Sequence, residues 1–145
     1  MHNPIRITLL AGLISFASFS AAQQPVPKIK NVPIQRTSPT SGEQMYTTYC
    51  AVCHGSSGVG NGPAAPALKV PATDLTTLTQ KHGGAFPADR IQSVLKFGTE
   101  TPAHGSSEMP IWGNLMSTLH GGPDNATVVH LRIVNLTNYL KQIQK

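Results

Sequence analysis

Apolar positions along this chain recur at helical rather than strand-like spacing. Between Asn125 and Ile143, the residues Val129, Ile133, Leu136, Leu140 and Ile143 fall at i, i+4, i+7, i+11 and i+14, one face of a long amphipathic helix. A shorter pattern opens with Pro87 and Asp89, places Ile91, Val94 and Leu95 on one face, and closes at Gly98. Another follows Thr73-Asp74, buries Leu75 and Leu78, and stops at Gly83-Gly84. Trp112, Leu115, Met116 and Leu119 mark a fourth helix, ended by Gly121-Gly122-Pro123. The first runs from Ser41, a capping residue with Glu43 in the first turn, to about Cys53. Alternating apolar and polar positions are nearly absent and no repeat is visible, so the pattern predicts an all-α domain of five helices.

Two segments precede that domain. Residues 1–22 read as an export signal peptide: Arg6 makes the start positive, Ile7 to Phe19 is almost uninterrupted apolar or small, and Ser20-Ala21-Ala22 offers a cleavage site. The apolar run falls short of the roughly 20 residues that span a bilayer and lacks a basic stop, so no membrane span is expected in the mature chain. No Cys follows it, which argues against a lipid anchor. Residues 23–40 carry Pro25, Pro27, Pro33 and Pro39 without helical period, as expected of an extended arm, disordered or laid over the domain surface. The domain then occupies residues 41–145.

Composition adds one constraint. The chain has 145 residues, 39% apolar and only 6% aromatic, with 13 Gly and 12 Pro, so side chains alone give a thin core. A small domain of this kind needs a staple such as a disulfide, a metal or a cofactor. Charge is less informative. Of eleven Lys and Arg, Arg6 lies in the leader, leaving ten against six Asp and Glu in the mature chain. The basic residues are scattered, which excludes a nucleic-acid tract; they serve solubility or form a positive face that steers acidic partners.

Cys50-Ala51-Val52-Cys53-His54 identifies the staple. The only two cysteines in the protein lie three apart on a helical turn, so both sulfurs face one side. Each can add to one vinyl group of a haem, and His54 is then placed to bind the iron. A thioredoxin-type redox pair expects a βαβ context, which is missing, and a zinc site lacks a second Cys pair. One covalently attached haem c is therefore the expected cofactor.

Residues 41–143 resemble the class I c-type cytochromes, bacterial monohaem members in particular. That family places a Gly and an aromatic ring eight and four residues before the first haem Cys, where Gly42 and Tyr46 stand. Its last helix carries a segment matched by Leu136, Tyr139, Leu140 and Lys141. A side-chain-free Gly42 lets the first and last helices cross closely, with Tyr46 and Tyr139 beside the contact. The resemblance implies the cytochrome c fold, about five short helices wrapped around one haem. It implies that Pro66, or failing it Pro63, gives its carbonyl to the His54 imidazole, with Leu68 against the haem.

The segment Met109-Pro110-Ile111-Trp112-Gly113 is similar to the distal-ligand loop of that family, which implies His54 and Met109 as the two iron ligands. His104, in the same loop, is the rival to Met109, ahead of His120 and His130. Met45 and Met116 sit on apolar helical faces and read as core. His82, near a helix end, reads as surface. Trp112 is expected beside the haem, Ile91, Val94 and Leu95 along its apolar wall, and Arg90 either at a propionate or on a solvated helix face. Two Asn-x-Thr sequences, at Asn125 and Asn135, read as chance matches to glycosylation acceptors.

The implied function is electron transfer by a periplasmic carrier, not an enzyme, with transient redox partners as donor and acceptor. It would act as a monomer or as a subunit of a redox complex. Two alternatives stand beside the free shuttle. One is a fixed haem subunit of a periplasmic dehydrogenase or oxidase, with the proline-rich arm as docking segment. The other is a haem enzyme or gas sensor in which Met109 leaves the iron.

Overall fold

Ser41 starts the first helix as the pattern predicts, its Oγ accepting from the Gln44 N–H at 3.1 Å. The computed structural model describes residues 34–98, 109–119, 122 and 124–145. The leader, residues 23–33 of the arm, His104 and His120 lie outside the described residues. The helices are α1 (Gly42–Met45), α2 (Ala51–His54), α3 (Leu78–Lys81), α4 (Ala88–Phe97), α5 (Trp112–Ser117) and α6 (Asn125–Gln142). Short 3-10 turns occupy Ala65–Ala67 and Leu75–Thr77, and there is no strand among the described residues.

The helix expected from Ser41 to Cys53 is continuous but not uniform. A π-helical segment, Tyr46–Cys50, joins α1 to α2, and the Ala51 N–H reaches back to the Tyr46 carbonyl. Tyr46, Tyr49 and Cys50 are all buried on this wide turn. π turns inside helices are rare and concentrate at functional sites. Here the turn ends on Cys50, the first cysteine of the motif.

α1 crosses α6 at Gly42. A β-carbon there would overlap the Asn135 carbonyl oxygen and come within 2.8 Å of Tyr139 Cβ, so the close crossing requires glycine. The rings of Tyr46 and Tyr139 meet beside it, centroids 5.2 Å apart and tilted by 41°. Met45, Tyr46, Met116 and Leu136 are essentially inaccessible, and Val129, Ile133 and Leu140 extend the buried face of α6. Removing such side chains from water contributes roughly 1.5–3 kcal/mol each.

α4 and α5 pack on α6 and on each other. The second expected helix is shorter than its pattern suggested. Asp74 caps a 3-10 turn through Thr76, and only Leu78–Lys81 is α-helical before Gly83 and Gly84.

Residues 34–40 lie against the domain. The Tyr49 hydroxyl donates to the Gln35 carbonyl at 2.6 Å and shares a 2.9 Å hydrogen bond with Thr37 Oγ1. Arg132 donates to Thr37 O at 2.8 Å and to Thr37 Oγ1 at 3.0 Å, and Asn135 Nδ2 donates to Pro39 O at 3.1 Å. Thr37 is only 7% exposed as a result. Every one of these bonds has one partner on the first or last helix, so the strap lies over both of those helices.

Candidate haem site

The two cysteines leave the helix in different settings. Cys50 ends the π-helical segment and is buried; its thiol is pushed up to about 12 by burial, with a smaller contribution from Cys53. Cys53, on α2, is half-buried, and neither sulfur is in a disulfide. His54 follows as the last residue of α2. Its Nδ1 donates to the Thr73 carbonyl at 2.9 Å, which leaves Nε2 as the ring's free lone pair. Burial lowers the imidazole's pKa and the Thr73 bond opposes that shift, so the ring is biased towards the neutral form a metal requires.

The carbonyl partner is thus Thr73 and not Pro66. Beyond His54 the chain doubles back on α2, with Gly60 N–H to His54 O at 2.8 Å, Gly62 N–H to Cys53 O at 3.0 Å and Ala64 N–H to Val52 O at 2.8 Å. That path carries Pro66 out into an exposed 3-10 turn. The Leu75 N–H then bonds Gly58 O at 2.8 Å and brings Thr73 in against the imidazole. Gly60 makes the return possible: its φ is +88°, and a β-carbon would overlap the Ala72 carbonyl oxygen. Spacing along the chain could not distinguish the two carbonyls, because the choice depends on how the loop recrosses α2.

Cys50, Cys53 and His54 line a single cavity of about 410 Å³. Ile91, Val94 and Leu95 of α4, Leu136 and Leu140 of α6, and Leu68 and Leu75 supply apolar walls. Met109, partly buried, and Trp112, 8% exposed, line the same space. Trp112 stacks on Tyr49 with centroids 5.5 Å apart and 28° between planes. Arg90 and His82 are exposed residues that also line the cavity; His82 Nδ1 is bonded to Leu78 O at 2.8 Å. Of the sequence-derived candidates, Cys50, Cys53, His54, Leu68, Ile91, Leu95, Met109 and Trp112 converge here, and Pro66 does not. Met45 and Met116 are fully buried elsewhere in the core, and His130 is exposed on α6. A larger, more open groove of about 770 Å³, bordered by Asp89, Lys96, Asn114 and His130, contains none of the motif residues.

Three contributors had escaped sequence reasoning. Thr73 acts through its backbone, so its side-chain type carries no signal. Tyr49 stands next to Cys50, but its ring reads as ordinary core. Arg132 is 4% exposed although it carries a charge, and its only sequence signal is its place beside Ile133 on the apolar stripe.

Two unpaired thiols, an imidazole biased towards the neutral form and a thioether line one apolar cavity, and side chains of these types fit a haem. The volume falls in the range of cofactor pockets, roughly 300–1,000 Å³, and the cysteines lie one helical turn apart, as thioether attachment requires. A helical domain with this site is a c-type cytochrome domain. The profile of the family described as cytochrome C oxidase, cbb3-type, subunit III matches residues 37–118, more than half of the chain, and the chain belongs to that family. It is a haem-c electron-transfer domain with the all-α cytochrome c fold, its haem held covalently through Cys50 and Cys53. Comparison with curated proteins and with solved structures yields no match.

Proposed function

We propose that the chain is a periplasmic one-electron carrier whose haem iron is held between His54 and Met109. The observation that carries this reading is the convergence of Cys50, Cys53, His54 and Met109 on one apolar cavity. When bound, the haem supplies a one-electron ferric/ferrous couple. The residues of the chain do the rest. Thr73 orients the His54 ring and increases its electron donation, as second-shell acceptors do. Met109 offers a soft thioether that favours the reduced metal, and Pro110 stiffens the backbone beside it. Ile91, Leu95, Leu136 and Leu140 exclude water. With both ligands retained no iron position is open to substrate, which argues for a carrier and against an enzyme.

Partners would meet the domain weakly and briefly, as electron carriers do. Export rests on the leader at residues 1–22, and no helix among the described residues is long and apolar enough to cross a membrane. The family description favours a second reading, in which the domain is a fixed haem subunit of an oxidase complex. Co-purification with a large partner after gentle extraction would select that reading over a free shuttle.

The deciding experiment is an absorption spectrum of the exported protein, oxidised and reduced, before and after carbon monoxide. The carrier reading expects sharp reduced c-type bands, a weak far-red band from a Met–ferric bond, and no response to carbon monoxide. Immediate carbon monoxide binding by the native ferrous protein would overturn it in favour of a haem enzyme or gas sensor with a labile Met109.

A further inference from the structure

α6 buries a charge that its core role does not explain. Arg132 is 4% exposed, and the hydrogen bonds of its guanidinium go to neutral groups, Thr37 Oγ1 at 3.0 Å and Thr37 O at 2.8 Å. Its Nε is buried without a hydrogen-bond partner, and no carboxylate pairs with the guanidinium among the described residues. Burying an unpaired ion is destabilising by several kcal/mol in general. An apolar residue would fill the same place on α6 without that cost.

The charge also has a short route to the cofactor cavity. Thr37 Oγ1, which accepts from Arg132, lies 2.9 Å from the Tyr49 hydroxyl. The Tyr49 ring lines the cavity and stacks on Trp112. Leu136, one helical turn beyond Arg132, lines the cavity too. One hydroxyl and one aromatic ring therefore separate the guanidinium from the site, through protein rather than solvent. Across such a medium a charge acts over longer distances than it does in water.

We propose that Arg132 raises the reduction potential of the haem by means of its buried positive charge. The inference rests on the electron-carrier reading above. Reduction brings in one electron from the redox partner and lowers the net charge of the site by one; no bond or proton changes at Arg132. A fixed positive charge nearby favours the state with the extra electron. Arginine suits the task because it stays protonated where a buried lysine can lose its proton. Thr37 and Tyr49 then act as positioning residues, holding the guanidinium beside the cavity wall.

The test uses the exported, haem-loaded full chain. With the solution poised at the wild-type midpoint, Arg132→Gln should lower the ratio of reduced to oxidised protein several-fold. Gln keeps a donor for Thr37 O while removing the charge. The difference should persist in high salt, because a buried charge is poorly screened. Thr37→Val leaves the charge and its bond to the Thr37 carbonyl and removes only the Oγ1 contact, so its potential should fall by much less than that of Arg132→Gln. Should Arg132→Gln fail to accumulate with haem, Arg132→Met removes the charge with an apolar chain and serves the same comparison. An unchanged potential on loss of the charge overturns the proposal, as does an equal fall in Thr37→Val, which would assign the effect to strap geometry. A wild-type protein without covalent haem overturns both this inference and the carrier reading. A normal wild-type spectrum with an unmoved variant potential overturns this inference alone.

Discussion

The His54 imidazole donates to the Thr73 carbonyl oxygen at 2.9 Å, across a loop of nineteen residues. The turn that presents this carbonyl is fixed by Asp74, which accepts from the Thr76 N–H at 2.8 Å and from the Thr76 hydroxyl at 2.6 Å. Orientation of the His54 ring therefore depends on a cap at the far end of the loop.

Asp74→Ala should lower the thermal midpoint of the haem-loaded protein at neutral pH by a few degrees. The Thr76 side-chain and backbone bonds hold the Asp74 carboxyl below its ordinary value of 3.8. A depressed carboxylate contributes stability that is present above its unfolded pKa and lost as pH falls through the lower, folded value. The gap between wild type and variant should thus narrow as pH drops below 3.8. Thermal melts followed by circular dichroism across pH 3 to 7, about the range of carboxylate titration, check this. A gap independent of pH would mean the carboxylate is not the stabilising species.

Gly42→Ala would place a methyl group against the Asn135 carbonyl and 2.8 Å from Tyr139 Cβ. In an open helix this change stabilises by about 1 kcal/mol. At the α1–α6 crossing, overpacking should destabilise by about 1–3 kcal/mol instead. A urea midpoint equal to or above wild type would show that the two helices can separate without loss.

Replacement of Met109 by Ala should lower the potential by roughly 0.1–0.3 V, a fraction of the span over which axial ligands tune haems. It should also open the iron to carbon monoxide. Redox titration and the reduced-minus-carbon-monoxide difference spectrum read both effects. Unchanged ligation would transfer the role to His104.

Tyr46 governs the alkaline limit. It donates to the Gly55 carbonyl at 2.6 Å, and its pKa is raised to about 12, burial being the largest cause, with Cys50 and Tyr139 adding to it. Attachment of haem removes the ionisable thiol of Cys50 but not the burial. An acid whose folded pKa is raised stabilises fully below its unfolded value of 10.0 and loses that contribution as pH rises towards 12. Urea unfolding of the haem-loaded protein should therefore weaken steeply over that window. Tyr46→Phe should be less stable at pH 8, about 1 kcal/mol for the lost hydrogen bond, and lose less on going to high pH. Parallel pH profiles would assign the alkaline transition to another group.

Local chemistry along the chain determined a good deal of this protein. The Cys50–His54 motif, the apolar stripe of α6 and the cap at Ser41 are set by spacing within a helix and are legible without a fold, while the Gly42–Tyr46–Tyr139 contact was legible only through the family resemblance. Tertiary structure decided the rest. Thr73 rather than Pro66 meets His54 because the loop recrosses α2 and is pinned by the Leu75–Gly58 bond. The strap over residues 35–39 is read only from its partners Tyr49, Arg132 and Asn135, twelve or more residues away. Backbone carbonyls are identical in every residue, and a buried arginine looks like a solvated one along the chain. Only the path of the polypeptide says which carbonyl arrives at a ring and which charge is taken out of water.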